Sequence, residues 1–230
     1  MRDDDHLRRK GRLLARLHHD LATARSLGQR DGWGLIWELD HASGSEFTSF
    51  NEVLGAFERH HSELAAQIRR HRYASLRELS RLRYGDLPHQ VIDFDFHNDN
   101  LLFDGDKLVG LLDLDSVHRD ACVTDIACSV ANDCPEPPAD IAPDPRSVAS
   151  FVAGYTEQTP LSERELRLIV PMIGAYRIAS FPRAILSWLH QRDARTLVGI
   201  RRNVDERLPA LAARAALIES AVLSAARKPQ

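Results

Sequence analysis

Lysine is nearly missing from this chain: 27 of its 30 basic residues are arginine, and the lysines are Lys10, Lys107 and Lys228. A protein that grips phosphates with lysine has three places to do so. Charge excess is missing too. A net charge of −3 gives no general attraction to nucleic acid or an anionic membrane surface. The three cysteines, Cys122, Cys128 and Cys134, stand six residues apart, which excludes a CxxC metal site and a secreted disulfide framework. Plain buried thiols are expected there. The uncharged run Leu168 to Tyr176 is far too short to span a bilayer, and the N-terminus MRDDDHLRRKGR is too charged for a signal peptide. These absences predict a soluble, cytoplasmic protein. No glycine-rich phosphate loop is visible either. Gly32-Trp33-Gly34 is the one Gly-x-Gly, and Trp37 stands where a third glycine would belong.

What is present is helix, interrupted once. With 43% hydrophobic residues the chain has ample material for a core. Leu7, Leu14, Leu17 and Leu21 share one face of a helix over 7–24, and Gly28 to Gly34 ends it. Ser49 and Glu52 form a capping box for a second helix, which the spacing of Val53, Phe57, His61, Leu64 and Ile68 carries to 68. His61 falls on the apolar stripe and reads as a core histidine. Leu76, Leu79 and Leu82 predict a third, short helix. The period then changes. Val91-Ile92, Leu101 to Phe103 and Leu108 to Leu112 are strand-like, with Asp104-Gly105 as a hairpin turn. Helix returns at Thr124, breaks in a proline-rich loop from Pro135 to Pro145, and runs to the end. Ser162 and Glu165 cap a helix through Pro171, and a final alanine- and leucine-rich helix starts near Asp205.

The polar residues collect on the strand segment. VIDFDFHNDNLLF, residues 91–103, brackets three aspartates, a histidine and two asparagines between apolar ends. If Asp104-Gly105-Asp106 is the turn, Asn100 falls near Gly110 and His97 near Asp113. Asp95, Asn100 and Asp113 then gather at one end of the hairpin. Two carboxylates and an amide oxygen are hard ligands suited to magnesium, and without a balancing cation or proton they repel. A calcium loop is excluded because Asn98 stands where the loop needs glycine. No second histidine-rich segment supports a two-metal phosphatase.

The stretch VIDFDFHNDNLLFDGDKLVGLLDLDSVHRDACVTDIA resembles the catalytic segment of the aminoglycoside phosphotransferase and choline kinase-like family, small-molecule relatives of protein kinases. That family's pattern runs His-Gly-Asp-x-His-x-x-Asn, a β-hairpin, Ile-Asp-Trp-Asp, then Asp-Leu-Ala. GRLLARLHHDLA is similar to the family's first C-lobe helix, and GYTEQTPLSERELRLIVPMIGAYRI to its helical substrate side. The resemblance implies an α+β, mostly α fold, the C-terminal lobe of a kinase-like protein with a small central hairpin. Its helices span 7–90, the catalytic loop and metal hairpin 91–115, and a substrate-side helical region 122–230. It implies ATP- and Mg2+-dependent phosphoryl transfer to a small-molecule hydroxyl. By position Asp95 is the catalytic base, Asn100 and Asp113 hold the metal and the nucleotide phosphates, and Asp125 is a buried aspartate that ties down the loop. His97 braces the loop, Asp115 shapes the metal side, and Leu111, Leu112 and Leu114 are strand core.

Two departures bear on activity. The family's His-Gly is Asp93-Phe94 here, which places an acid beside Asp95. A β-rich N-lobe carrying a phosphate-gripping lysine precedes the segment in the family, and only helices precede it here. The resemblance therefore also implies a truncated site: impaired transfer, a partner chain over the exposed N-lobe face, or a catalytically silent binding module. Candidate substrate contacts are Tyr155, Tyr176, Arg177, Arg183 and Trp188, each also readable as packing.

Overall fold

The computed structural model describes residues 4–24, 39–41, 47–105, 107–134 and 141–227. The Gly32-Trp33-Gly34 segment, Asp106, most of the proline-rich loop and Lys228 lie outside them. Helix α1 (Asp4–Leu21) buries Leu7 and Leu14 on the predicted face. It lies directly against α5 (Pro145–Gln158), and two glycines permit that approach. A Cβ on Gly11 would stand 2.0 Å from the Phe151 carbonyl oxygen, and one on Gly154 1.8 Å from that of Arg8. Any side chain at either position would push the helices apart.

The second and third expected helices are partitioned differently. Helix α2 (Phe50–Glu58) has the Ser49–Glu52 capping box but stops at Glu58, and α3 (Ser62–Arg81) runs unbroken through the two predicted pieces. The break falls at Arg59–His61, where the chain packs on a residue far along the sequence. The rings of Phe57, His60 and His61 pack at 5.3, 5.6 and 4.7 Å around the indole of Trp188. His61 is packed as expected but not satisfied, since its Nε2 is buried without a partner. Burial and nearby Arg201 lower its pKa, which keeps it neutral.

Two small antiparallel pairs follow: β1 (Gln90–Ile92) with β4 (His118–Asp120), and β2 (Leu101–Asp104) with β3 (Lys107–Leu111). The hairpin register differs from the expected one. Leu101 pairs with Leu111 and Leu102 with Gly110, and an irregularity between Leu102 and Phe103 shifts the pairing. Asn100 therefore faces Leu112, whose N–H donates to the Asn100 carbonyl at 2.9 Å, rather than Gly110. The residue before Asp113 is thus set against Asn100 rather than His97. A second correction concerns the leucines: Leu111 is partly buried, but Leu112 and Leu114 are 44% and 56% exposed.

Helices α4 (Cys122–Asp133), α5, α6 (Glu163–Ala179) and α7 (Phe181–Gln191) enclose the core. Cys128 and Cys134 are buried free thiols, and Cys122 is half-buried. The Ser162–Glu165 capping box forms, and α6 continues past Pro171. Helix α8 (Ala194–Arg202), a π turn at Asn203–Arg207 and α9 (Leu208–Ala225) make one helical stretch. By length and composition alone, Ala194–Ala225 could cross a membrane, which the shorter uncharged runs did not suggest. Here α9 buries Leu208, Leu211, Ile218 and Val222 against α5 and α6.

Candidate active site

Residues 93–100 leave β1 as an irregular loop and close in a short turn, Asn98–Asn100, before β2. Helix α4 holds this loop from below. Asp125 is fully buried and accepts from the N–H groups of Asp93 at 3.0 Å and Phe94 at 3.1 Å. This is the tying-down role the resemblance implied. His18 of α1 completes the arrangement, with Nε2 3.0 Å from Asp125 and Nδ1 2.8 Å from the Tyr155 hydroxyl. Burial opposes a charge on His18, but hydrogen bonds to Asp125 and Cys122 outweigh it and raise its pKa to about 9. Two buried backbone donors and a buried cation thus converge on one carboxylate, which satisfies groups that are costly to leave unpaired.

Asp95 and Asn100 are brought together. The Asn100 side-chain amide donates to the Asp95 carboxylate at 2.6 Å and to the Asp95 carbonyl at 3.1 Å. His97 braces the same carboxylate, with Nε2 3.0 Å from Oδ1, and its N–H donates to the Asp95 carbonyl at 2.8 Å. The carboxylate is therefore oriented on both oxygens while remaining partly open. With its nitrogen committed to Asp95, Asn100 has its amide oxygen left for a cation. Asp113 lies one residue beyond the Leu112–Asn100 bond, exposed, with φ 54° in the left-handed region. Among the described residues no three His, Cys, Asp or Glu side chains converge as a metal site. A magnesium ion here would draw on the Asn100 oxygen and Asp113, completed by phosphate and water, which suits its preference for few protein ligands. The donor set fits. Asp115 lies exposed in the Leu114–Ser116 turn beside it.

The Asp93-Phe94 departure has a structural cost. Phe94 adopts φ 66°, a conformation that costs an L-residue about 1–2 kcal/mol and suits the glycine of the family pattern. It is held there by the Asp125 bond to its N–H and by its ring, which packs edge-on to His118 at 5.0 Å and Tyr176 at 6.0 Å. Asp93 is 1% exposed, and neither carboxylate oxygen makes a hydrogen bond of good geometry. Burial, then the charges of Asp125 and Asp95, raise its pKa to about 7; the Asp95 N–H and His18 offset this only in part.

Three supporting residues escaped the sequence reading. Ser129 donates to the Phe96 carbonyl, Asp133 accepts from the Asn98 N–H at 3.4 Å, and Lys10 pairs with Asp133 while donating to Asn98 Oδ1 at 3.0 Å. Their signal was legible in part: Asp125, Ser129 and Asp133 recur every four residues on one face of a helix. The candidate substrate contacts divide. Tyr155 and Trp188 are core, Tyr176 accepts from Asn132 at 3.1 Å, and Arg183 is exposed.

A family model described as "Phosphotransferase enzyme family" matches residues 2–169. This chain belongs to that family. Among curated relatives, the homoserine kinase of Methylobacillus flagellatus is 31% identical over 155 residues, covering 67% of this chain and 43% of that protein. The homoserine kinase of Parvibaculum lavamentivorans is 31% identical over 163 residues, covering 69% and 45%. This phosphotransferase-family chain thus spans less than half the length of these two relatives. Among solved structures, an amicoumacin kinase bound to AMP-PNP, Ca2+ and Ami aligns with a TM-score of 0.56 at 14% identity, over 95% of this chain and 59% of that one. A spectinomycin phosphotransferase with ADP and spectinomycin aligns at 0.52 and 13%, over 97% and 66%. A choline/ethanolamine kinase family protein from Mesorhizobium loti gives 0.52 and 12%, over 94% and 66%. These likenesses show a shared kinase-like fold.

Proposed function

We propose that residues 93–115 form the acid-and-metal half of a site that transfers a phosphoryl group from ATP to the hydroxyl of a small molecule. The observation that carries this reading is the 2.6 Å link between Asp95 and Asn100, with Asp113 following the residue whose N–H bonds the Asn100 carbonyl. Asp95 accepts the hydroxyl proton, since His97 and Asn100 hold its carboxylate in one orientation. Asn100 and Asp113 supply oxygens on the phosphate side, where Mg2+, when bound, neutralises charge on the transferring group. An amino-acid hydroxyl is the favoured acceptor class, by likeness to the relatives named homoserine kinase. The exposed Leu102, Val109, Leu112 and Leu114 favour an apolar cover over the hairpin, from further sequence of the same protein or a partner chain.

One observation favours a second reading, a binding module that transfers nothing. Of the two lysines among the described residues, Lys10 is buried in an ion pair and Lys107 is exposed on the hairpin. Neither lies over the acid cluster as a phosphate-gripping cation. Calorimetric titration with Mg·ATP, beside an Asp113→Ala variant, tests the proposal. Binding weakened at least tenfold by the substitution supports the site. Equal binding, or none in either protein, overturns it.

A further inference from the structure

Helix α4 and the loop above it advance in step. Asp125, Ser129 and Asp133 meet the loop at residues 93 and 94, at 96, and at 98. Four helical residues rise about 6 Å, and two residues of extended chain span about 6.6 Å, so each helical turn meets every second loop residue. Helix α1 repeats the spacing from the other side. His18 meets Asp125 and Lys10 meets Asp133, eight residues apart on both helices. The two ends of this ladder serve different parts of the loop. The Asp125 end grips the amides just before Asp95. The Asp133 end grips Asn98, two residues before Asn100.

We infer that Lys10, acting through Asp133 and Asn98, is a positioning residue for Asn100: it fixes the Asn98–Asn100 turn and with it the amide oxygen offered to a cation. The ammonium group has three donors, and it spends them on more than its ion pair. It donates to Asn98 Oδ1 and lies 5.4 Å from the Phe96 ring centroid, so it contacts the loop at two residues. Stability is a poor account of a lysine with a fully buried side chain, because well-packed apolar residues replace buried ion pairs at little or no loss. Geometry is what such a replacement would forfeit. Besides the Asn100 amide's own bonds to Asp95, the turn is held at its exit by the Leu112 N–H on the Asn100 carbonyl, and that anchor belongs to the exposed hairpin.

The functional meaning rests on the phosphoryl-transfer reading, but the turn's rigidity can be measured without it. The test changes Asn98, which leaves the Lys10–Asp133 pair and the core intact. Hydrogen exchange on the unliganded protein is read beside Mn2+ affinity in the presence of ATP. Asn98→Ala is expected to speed exchange at Asn100 and Leu112 about tenfold while Asp93 and Phe94 stay protected, and to weaken Mn2+ binding about tenfold. Asn98→Asp, which keeps an acceptor for Lys10, restores slow exchange. Leu14→Ala, a core change on the same helix, lowers the unfolding temperature yet leaves Mn2+ affinity at the parent's value. Parent-like exchange at Asn100 and Leu112 in Asn98→Ala overturns the inference. If exchange responds but the parent binds no Mn2+ with ATP, the positioning stands and the phosphoryl-transfer reading falls.

Discussion

The loop at 93–100 and the hairpin that follows it carry the same candidate site and are built in opposite ways. The loop is anchored from beneath by Asp125, Ser129 and Asp133, and buries Asp93, Phe94 and Phe96. The hairpin turns Leu102, Val109, Leu112 and Leu114 outward. Asp95 and Asn100 belong to the anchored part and Asp113 to the other. On the proposed reading, a site divided in this way would have its base and one metal ligand preorganised, while the second ligand would depend on whatever steadies the hairpin. Strain is also distributed over the boundary: Phe94 and Asp113 both take positive φ, one locked in the core and one exposed.

The largest effect should come from cutting the anchor. Asp125→Ala removes the acceptor of two buried N–H groups and strands His18, which carries a charge in the folded protein. Breaking a buried pair from one side costs about 3–5 kcal/mol. Urea unfolding should show a loss of that size. A loss under about 1 kcal/mol would mean the loop is not held from below, and the contrast with the hairpin would collapse.

How much of this contrast could be read in advance follows from where each signal lies. The loop's acids and amides, the Asp104-Gly105 turn and both capping boxes are local patterns, and they formed. The buried role of Asp125 was carried by a local resemblance. What failed depended on distant partners. Trp188 packs on His61, 127 residues earlier in the chain, and nothing near His61 announces it. Lys10 reads as one more charge in a charged helix until Asp133, 123 residues away, is placed against it. Leu112 and Leu114 read as core because apolar residues beside a strand usually are; alternation gives a face, not what covers it. The register slipped by one residue at the turn, where Asp104 pairs with Lys107, and by one more at an irregularity between Leu102 and Phe103 that no turn signal encodes.

A middle-sized effect separates Asp93 from its neighbours. Its folded pKa of about 7 stands above the usual 3.8, with Asp125, Asp95 and His18 as the charges that face it. Below pH 3.8 folded and unfolded chains both hold the proton. Between there and pH 7 the folded chain keeps a proton that the unfolded chain releases, so this group's contribution falls as pH rises. Asp93→Asn mimics the protonated acid. It should match the parent near pH 3.5 and exceed it by a gap that grows with pH up to about 7, on the order of a few kcal/mol at pH 8. Thermal unfolding at the two pH values checks this, and taking the difference between proteins offsets the separate loss from His18 as pH rises from about 6.5 to 9. An equal gap at both values would mean that Asp93 is ionised throughout or protonated throughout.

The smallest effect tests the other side of the comparison. Leu114→Ser replaces a side chain that is 56% exposed and lies outside the core. Its cost to this chain's stability should stay within about 0.5 kcal/mol, as for ordinary surface positions. Mg·ATP affinity in the isolated chain should be equally unmoved, because Asn100 is positioned from α4 and α1 rather than from the hairpin's outer face. A larger stability loss would show the hairpin face already buried in solution, which sedimentation at two protein concentrations would trace to a second copy of the chain. The hairpin would then be covered as firmly as the loop, and Asp113 would have to be counted among the preorganised ligands.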